Sequence, residues 1–261
     1  MVHLVLAKGL RSPLLQAVIA GALLALIAGA ATGTVDRMIA SAISTWAPVV
    51  VLAGLMRQSR SLVLTLQVSA IIAVVVVLAF FVVLGDPTAY WNDVISATAA
   101  LFRQGGLAEQ ADFLLASQSV IAPQMTMLFV FLSWSLYVLV LLLGYALYRS
   151  LPGRSAEFGR FGDLNFGRVL ALVLALTSVG AMATGAAWLQ NVAFVLFAVF
   201  WLQGLALMHW LYGTGRLPVF VLVVVYALLP VLNLLLVTSL AVTGYTDAWF
   251  NFRARVKRND N

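Results

Sequence analysis

Seven long apolar runs constrain this chain more than any other feature of its sequence. Each run has about 20 residues, the length that a helix needs to cross the hydrocarbon core of a bilayer. Because lipid offers no hydrogen bonds, backbone groups in such a run must be satisfied within it, which favours helix. The sequence therefore predicts an all-α, polytopic transmembrane bundle of about seven spans, within a range of six to eight. The predicted spans are 13–33, 38–56, 62–84, 122–148, 168–187, 191–212 and 218–243.

Composition excludes a soluble domain. The chain is 63% hydrophobic and only 9% charged, whereas soluble domains carry roughly 25% charged residues. The net charge of +6 does not indicate nucleic-acid binding, because the basic residues occur in short clusters between apolar runs. Such clusters are typical of membrane topology. We therefore interpret residues 1–261 as a single transmembrane domain.

The basic residues also predict the orientation. With a cytoplasmic N-terminus, nine Lys and Arg residues lie inside and only Arg37 and Arg103 lie outside, as the positive-inside rule requires. Seven spans, however, place the four basic residues after Asn251 outside. One alternative places these residues inside, because Pro230 can split the last run into two half-helices that enter the membrane and return to the same side. A proline-kinked crossing with the tail outside is the alternative.

Two segments outside the spans differ from them in composition. Residues 85–121 place Trp91, Val94, Ile95, Leu101 and Phe102 at helical spacing, which predicts an amphipathic, non-cytoplasmic segment between the third and fourth spans. Residues 244–261 mix aromatic and basic side chains. This composition favours an interfacial tail that meets anionic lipid headgroups.

Polar residues within or beside the last three spans are the candidate ligand contacts. Asp, Glu, Lys and Arg are absent from the interior of every predicted span, which disfavours an ion pump. The candidates that remain are Asn191, Gln203, His209 and Asn233. The amides either hydrogen-bond between helices or line a small polar pocket. His209 is either an interfacial side chain or a group that contacts ligand or senses pH.

A ridge of small residues in the first predicted span indicates close helix packing. Its members recur every four positions, at Ala17, Gly21, Ala25, Gly29 and Gly33. In lipid such a ridge lets a second helix approach closely, which is a main source of helix association. The partner is either another helix of this chain or a separate transmembrane subunit.

Catalytic and cofactor motifs are missing from the sequence. It contains no phosphate-binding loop, no nucleophile elbow, no HExxH metal motif and no cysteine. We therefore expect a protein that is not an enzyme and that carries no cofactor or metal. A lipid-modifying enzyme is the least favoured class, with His209 and Asp247 as its acid–base candidates.

Three local patterns together resemble the YybS-like family of bacterial multi-pass membrane proteins. One is Glu157-Phe158 followed by Phe166-Gly167-Arg168. Another is Asn191 followed by Gln203-Gly204-Leu205-Ala206 and His209. The last is Gly244, Asp247, Trp249, Phe252, Arg253 and Arg255 near the end of the chain. The resemblance runs from about residue 40 onward and implies a bacterial plasma-membrane location, but it implies no particular activity.

The family is in turn distantly similar in plan to the substrate-capture subunits of energy-coupling-factor vitamin transporters. Those proteins are small helical bundles of six spans that bind a solute and dock a partner subunit through small-residue ridges. The resemblance therefore implies a membrane component that captures or helps to move a small molecule with partner subunits. A structural protein that organises partners through its basic loops is the alternative.

Overall fold

The structure, a computed structural model, describes residues 2–9, 11, 15–16, 19–23, 35–154, 156–229, 231 and 233–258. Of the described residues 86% are helical, and none of them lies in a strand. The all-α fold predicted from the apolar runs is confirmed.

The helices are numbered in chain order where their bounds are complete. They are α1 Val2–Lys8, α2 Val35–Ser59, α3 Leu62–Leu84, α4 Pro87–Gln104, α5 Ala108–Ala116, α6 Gln118–Ile121, α7 Met125–Arg149, α8 Gly167–Thr184, α9 Ala187–Gly213, α10 Val219–Leu228, α11 Asn233–Phe250 and α12 Phe252–Arg258. Short 3₁₀ turns at Ala122–Gln124 and Phe161–Asp163 precede α7 and α8.

Five of the described helices are long and apolar enough to cross a membrane. They are Ile39–Ser59, Leu62–Leu84, Gln118–Arg149, Gly167–Thr184 and Ala187–Gly213. Their outer faces carry exposed aliphatic side chains such as Val82 and Met182, at 83% and 88% exposure. Lipid, rather than water, is the solvent in which such surfaces are stable. The protein is a multi-pass helical membrane protein that contacts the lipid bilayer.

The predicted spans can be compared with these helices one by one. The span predicted at 62–84 coincides with α3, and four others differ from their helices by a few residues at each end. Most of the first predicted span, 13–33, lies outside the described residues, although 19–23 are helical. The last predicted span, 218–243, is interrupted at 229–232, so that α10 and α11 are separate apolar helices. The sequence between these helices includes Pro230, and proline has no backbone N–H to continue a helix.

The chain divides into two compact units. The first unit comprises Met1–Ser69 and Trp134–Asp163, and the second comprises Ala70–Ser133 and Leu164–Asn261. In the first unit, α1 packs against α2 and α7 and buries Val2, Val5 and Leu6. The sequence analysis did not predict this helix, because its seven residues are too few for a periodic pattern.

Arg57 fixes the end of α1 in the first unit. Its guanidinium Nη1 donates hydrogen bonds to the carbonyl oxygens of Val5 and Leu6, at 2.9 and 2.7 Å. The Leu6 oxygen belongs to the last turn of α1, where backbone carbonyls lack a partner within the helix. The Val5 oxygen also accepts a hydrogen bond from the N–H of Gly9 at 2.9 Å. A cation at this end also interacts favourably with the helix dipole. Arg57 therefore caps α1 and ties it to α2.

Helices α4, α5 and α6 of the second unit cover the predicted segment 85–121. Asp86 caps α4 by accepting a hydrogen bond from the backbone N–H of Thr88 at 2.9 Å. Trp91 and Ile95 are buried, and the indole N–H of Trp91 donates to the Thr126 hydroxyl at 2.7 Å. Leu101 is 64% exposed. The predicted apolar face is therefore packed within the protein at Trp91 and Ile95 and is exposed at Leu101.

Helix α9 is the central helix of the second unit. In its most apolar stretch 67% of the residues are buried, against 17–28% in the other candidate spans. It contacts α8, α10 and α11, and its contact with α11 is the most extensive in the unit. A tight turn at Gly185, with a left-handed φ of 66°, joins α8 to α9. Several polar and glycine residues lie where α9 meets its neighbours.

Candidate functional site

Three polar side chains form a buried cluster in the second unit, and we call Gln203, Asp247 and Arg253 the polar cluster. Gln203 lies on α9, Asp247 on α11 and Arg253 on α12. Gln203 and Asp247 are fully buried, and Arg253 is 9% exposed. The Gln203 Nε2 donates to Asp247 Oδ2 at 2.9 Å, and Arg253 Nη1 lies 3.7 Å from the same oxygen. The structure thus brings together residues from three helices.

The polar cluster also satisfies backbone groups that have no helical partner. Gln203 Oε1 accepts a hydrogen bond from the N–H of Phe166 at 2.7 Å, and Arg253 Nη1 donates to the carbonyl of Leu164 at 2.8 Å. Asp247 Oδ1 accepts from the N–H of Phe252 at 3.1 Å. Buried backbone groups outside helices must find such partners. The cluster therefore joins the segment before α8 to the start of α12, which indicates a structural role.

Two glycines allow α9 and α11 to cross beside the polar cluster. A Cβ atom added to Gly204 would overlap the carbonyl of Leu240, and one added to Gly244 would overlap the carbonyl of Phe200. Backbone atoms cannot move aside as the end of a flexible side chain can. The two helices can therefore approach this closely only because both positions are glycine.

The other residues of the resembled pattern divide between the two units. Arg168 Nη2 donates to the carbonyl of Trp249 at 3.3 Å, which is a further link between α8 and α11. Glu157 lies in the first unit, where it accepts a hydrogen bond from the Tyr148 hydroxyl and lies 3.9 Å from Arg154. The pattern residues Arg168, Gly204, Gly244, Asp247, Trp249 and Arg253 all belong to the second unit, whereas Glu157 belongs to the first.

Of the four predicted ligand contacts, the three with described side chains have different partners. Asn191 is buried, and its Nδ2 donates to the carbonyl of Ala187 at 2.9 Å, one turn earlier in α9. Gln203 belongs to the polar cluster. His209 places Nδ1 3.0 Å from the Leu205 carbonyl and Nε2 3.3 Å from the Tyr226 hydroxyl. The side chain of Asn233 lies outside the described part of the chain.

Both ring nitrogens of His209 have a partner in this arrangement. A carbonyl oxygen can only accept, so the contact with Leu205 requires a proton on Nδ1. Nε2 contacts the Tyr226 hydroxyl on α10. Asp247 has different partners, in the polar cluster. The two acid–base candidates of the least favoured class are thus engaged separately.

The small-residue ridge lies mostly beyond the described residues. Of its five members only Gly21 is described, and Ala17, Ala25, Gly29 and Gly33 are outside the described ranges. No atom is found within 4 Å of a Cβ added to Gly21. This position is thus open with respect to the described residues, and the choice between an internal and an external partner stays a prediction.

A cavity of about 430 Å³ lies in the first unit, and we call it the apolar cavity. It is lined by Val2, His3, Thr45, Trp46, Val49, Leu136, Tyr137, Val140, Leu143, Gly144 and Leu147. The hydroxyl of Thr45 donates to the Ser41 carbonyl at 2.8 Å, and that of Tyr137 donates to the Ser44 carbonyl at 3.0 Å. Because these hydroxyl protons are already used, the cavity suits a mainly apolar ligand.

Gly144 supports one wall of the apolar cavity. A Cβ at this position would overlap the side chain of Val2, so the glycine admits α1 to the surface of α7. The sequence analysis missed this cavity. A signal was present, because Tyr137, Val140 and Gly144 recur on one face of α7. Nothing in the sequence, however, pairs that face with α1 and α2.

Among the described residues, no three His, Asp or Glu side chains gather closely enough to hold a metal ion. Comparisons of the chain with protein-family models, with curated proteins and with solved structures found no match. The resemblance to the YybS-like family therefore stays a prediction that rests on the quoted residues. Function must be argued from the geometry of the two units.

Proposed function

We propose that the protein is a non-enzymatic, multi-pass component of a bacterial plasma membrane that captures a small, mainly apolar molecule, with the help of partner subunits. The observation that supports this proposal is the apolar cavity of the first unit. Its volume of about 430 Å³ falls in the range of roughly 300–1,000 Å³ that is usual for small-molecule sites. Its few polar groups would orient a ligand rather than bind it strongly.

The location of this cavity changes the capture hypothesis in one respect. A polar pocket among the last three spans was one of the two alternatives that the sequence left open. In the structure, however, Gln203 is fully buried and its amide hydrogen-bonds to Phe166 and Asp247. An amide that is engaged in this way is not available to a solute. The apolar cavity is the better candidate site, and α1, α2 and α7 rather than α9 would hold the ligand.

Mass spectrometry of the whole protein in lipid nanodiscs tests capture. We expect a reproducible small-molecule adduct on the wild-type protein. The Val140→Phe variant should lose that adduct, because the larger side chain fills the cavity that Val140 lines. Leu139→Phe is the matched control, since Leu139 is the preceding residue of α7, is 52% exposed and does not line the cavity.

An adduct that survives in Val140→Phe, or a wild-type mass with phospholipid alone, would contradict capture in this cavity. The alternative function is a scaffold that organises partners through the arginine-rich connection. It is favoured by the exposure of Arg149, Arg154 and Arg160. Replacing these three residues with Gln should then abolish co-purification of a partner, and unchanged co-purification would contradict the scaffold.

A further inference from the structure

We propose that the first unit also carries a binding site for a phosphate group. The site is a recess of about 180 Å³, which we call the arginine recess. It is lined by Leu6, Ala7, Arg57, Arg60, Tyr148, Arg154, Glu157 and Phe158. None of these residues lines the apolar cavity, so the proposal stands or falls independently of the captured molecule.

The charge of the arginine recess favours an anion. Three guanidinium groups face a single carboxylate, Glu157, which leaves a formal excess of two positive charges. That carboxylate is already engaged, because it accepts a hydrogen bond from the Tyr148 hydroxyl and lies 3.9 Å from Arg154. A bound anion would therefore meet a carboxylate whose charge is partly balanced.

The three arginines make different contacts. Arg57 donates to the last turn of α1 and is a fixed part of the wall. Arg154 lies over the ring of Tyr148, with Cζ 5.1 Å from the ring centroid, which holds the guanidinium plane at the recess. The guanidinium of Arg60 has no hydrogen-bond or ion-pair partner among the described residues. Its five N–H donors are thus open to a ligand.

The backbone conformation of Arg60 supports a functional role for this residue. The residue directly follows α2 and has a φ of 55°, in the left-handed region. Glycine is the usual residue at such a helix end, since a side chain there adds strain. Strained positions occur more often at functional sites. Here the turn directs an arginine into a recess that already holds two others.

The shape of guanidinium identifies the ligand class. Its planar fork matches two oxygens of a phosphate and forms paired, charge-assisted hydrogen bonds. Two sources carry this group: the headgroup of an anionic phospholipid and a dissolved phosphate. Arginine clusters at membrane surfaces bind anionic headgroups, and the recess lies at the ends of α1, α2 and α7. The chemistry is common to both sources, and the experiment separates them.

The test uses the full-length protein in nanodiscs and an Arg60→Gln/Arg154→Gln double variant. Both side chains are exposed, so the variant should fold. Native mass spectrometry measures retained phosphatidylglycerol against phosphatidylcholine, and titration calorimetry measures binding of sodium phosphate. We expect the wild type to bind a phosphate-bearing probe about tenfold or more tightly than the double variant, because two charge-assisted contacts are lost. Arg103→Gln is the matched control, since Arg103 is an exposed arginine outside the recess.

Each outcome of these measurements either assigns the ligand of the arginine recess or overturns the proposal. Selective retention of phosphatidylglycerol that the double variant loses assigns the recess to a lipid headgroup. Phosphate binding that the double variant loses, without lipid selectivity, assigns it to a dissolved anion. Binding of neither probe by the wild type, or equal binding by wild type and double variant, overturns the proposal. A loss of the same size in Arg103→Gln also overturns it, because the effect would then be that of net charge.

Discussion

At the scale of single residues, the molecule holds two Asp–Arg pairs in opposite surroundings. Asp247 is fully buried beside Arg253, whose side chain is 11% exposed, and the carboxylate accepts from Gln203 and Phe252 as well. Asp112 and Arg103 form a shorter pair, at 2.6 Å, but their side chains are 67% and 55% exposed. Removing one partner of a buried pair leaves the other charge buried without a counter-charge, whereas water solvates the charge that remains from an exposed pair.

The first prediction compares these two pairs. We expect Asp247→Ala to lower the free energy of unfolding by about 3–5 kcal/mol, because Arg253 and the Gln203 amide lose their buried acceptor. Asp112→Ala should lower it by less than about 1 kcal/mol. Unfolding in mixed micelles, followed by circular dichroism, measures both values. Similar losses in the two variants would show that the polar cluster does not hold the second unit together.

At the scale of elements, packing and capping depend on particular residues of each helix. The crossing of α9 and α11 depends on Gly204 and Gly244, and the start of α4 depends on Asp86. Both features are local, but each sets where a whole helix lies.

Adding a single methyl group at the crossing should be costly. Gly244→Ala places a Cβ into the carbonyl of Phe200, so the two helices must move apart. We expect a loss of about 1–3 kcal/mol of stability, as in other overpacked cores. The control is Gly213→Ala, since Gly213 is the last residue of α9 and has no atom within 4 Å of an added Cβ. Equal thermal stability of the two variants in detergent would contradict the observed crossing.

The cap of α4 should respond to pH. The backbone N–H and hydroxyl of Thr88 hold the pKa of the Asp86 carboxyl below its usual value of 3.8. Since the folded-state pKa is the lower one, the stabilisation is complete above pH 3.8 and is lost as the pH falls through the folded pKa. Hydrogen exchange of the amides in the first turn of α4 should therefore speed up at the acid end.

Substitutions at the same position provide the control. Asp86→Asn keeps a good N-cap without an ionisable group, so its exchange rates should lack this acid transition. Asp86→Ala should weaken the cap by about 1 kcal/mol at every pH. An acid transition of unchanged size in Asp86→Asn would mean that another carboxylate is responsible.

At the scale of the whole molecule, the five candidate spans and the two shorter apolar helices establish a multi-pass protein. The direction in which the chain enters the bilayer is a separate matter, and it rests on the nine-to-two distribution of basic residues in the predicted loops. Because the chain contains no cysteine, single cysteines can be introduced without a background of native thiols.

We expect cysteines at Ser150 and Thr214 to react from the cytoplasmic side and a cysteine at Gln104 to react from the opposite side. Impermeant maleimide applied to intact cells or to inverted vesicles measures this. The reverse pattern would overturn the predicted orientation. An Arg255→Cys variant also separates the two alternatives for the last segment. Reaction from the Ser150 side indicates a dip and return, and reaction from the Gln104 side indicates a kinked crossing.

Much of the fold could be predicted because apolar length is a property of the chain alone. Helix α3 coincides with its predicted span, and Pro230 marks the break between α10 and α11. The site could not be predicted in the same way. For Gln203 the sequence left two alternatives, a hydrogen bond between helices or a contact with solute, because its type and depth can be read from the sequence but its partners cannot. Asp247 and Phe166 are distant from it in the chain and meet it only through packing.

The sequence by itself determined that this chain is helical and that it resides in a bilayer. A run of twenty apolar residues is stable in lipid but not in water, and in lipid only a helix gives its backbone N–H and C=O groups hydrogen-bond partners within the run. Only the tertiary structure decided which side chains share a space. The polar cluster, the apolar cavity and the arginine recess each combine segments that are far apart in the chain. Their contacts follow from how closely helices approach, and that distance is decided by glycines such as Gly144, Gly204 and Gly244 against particular partner atoms.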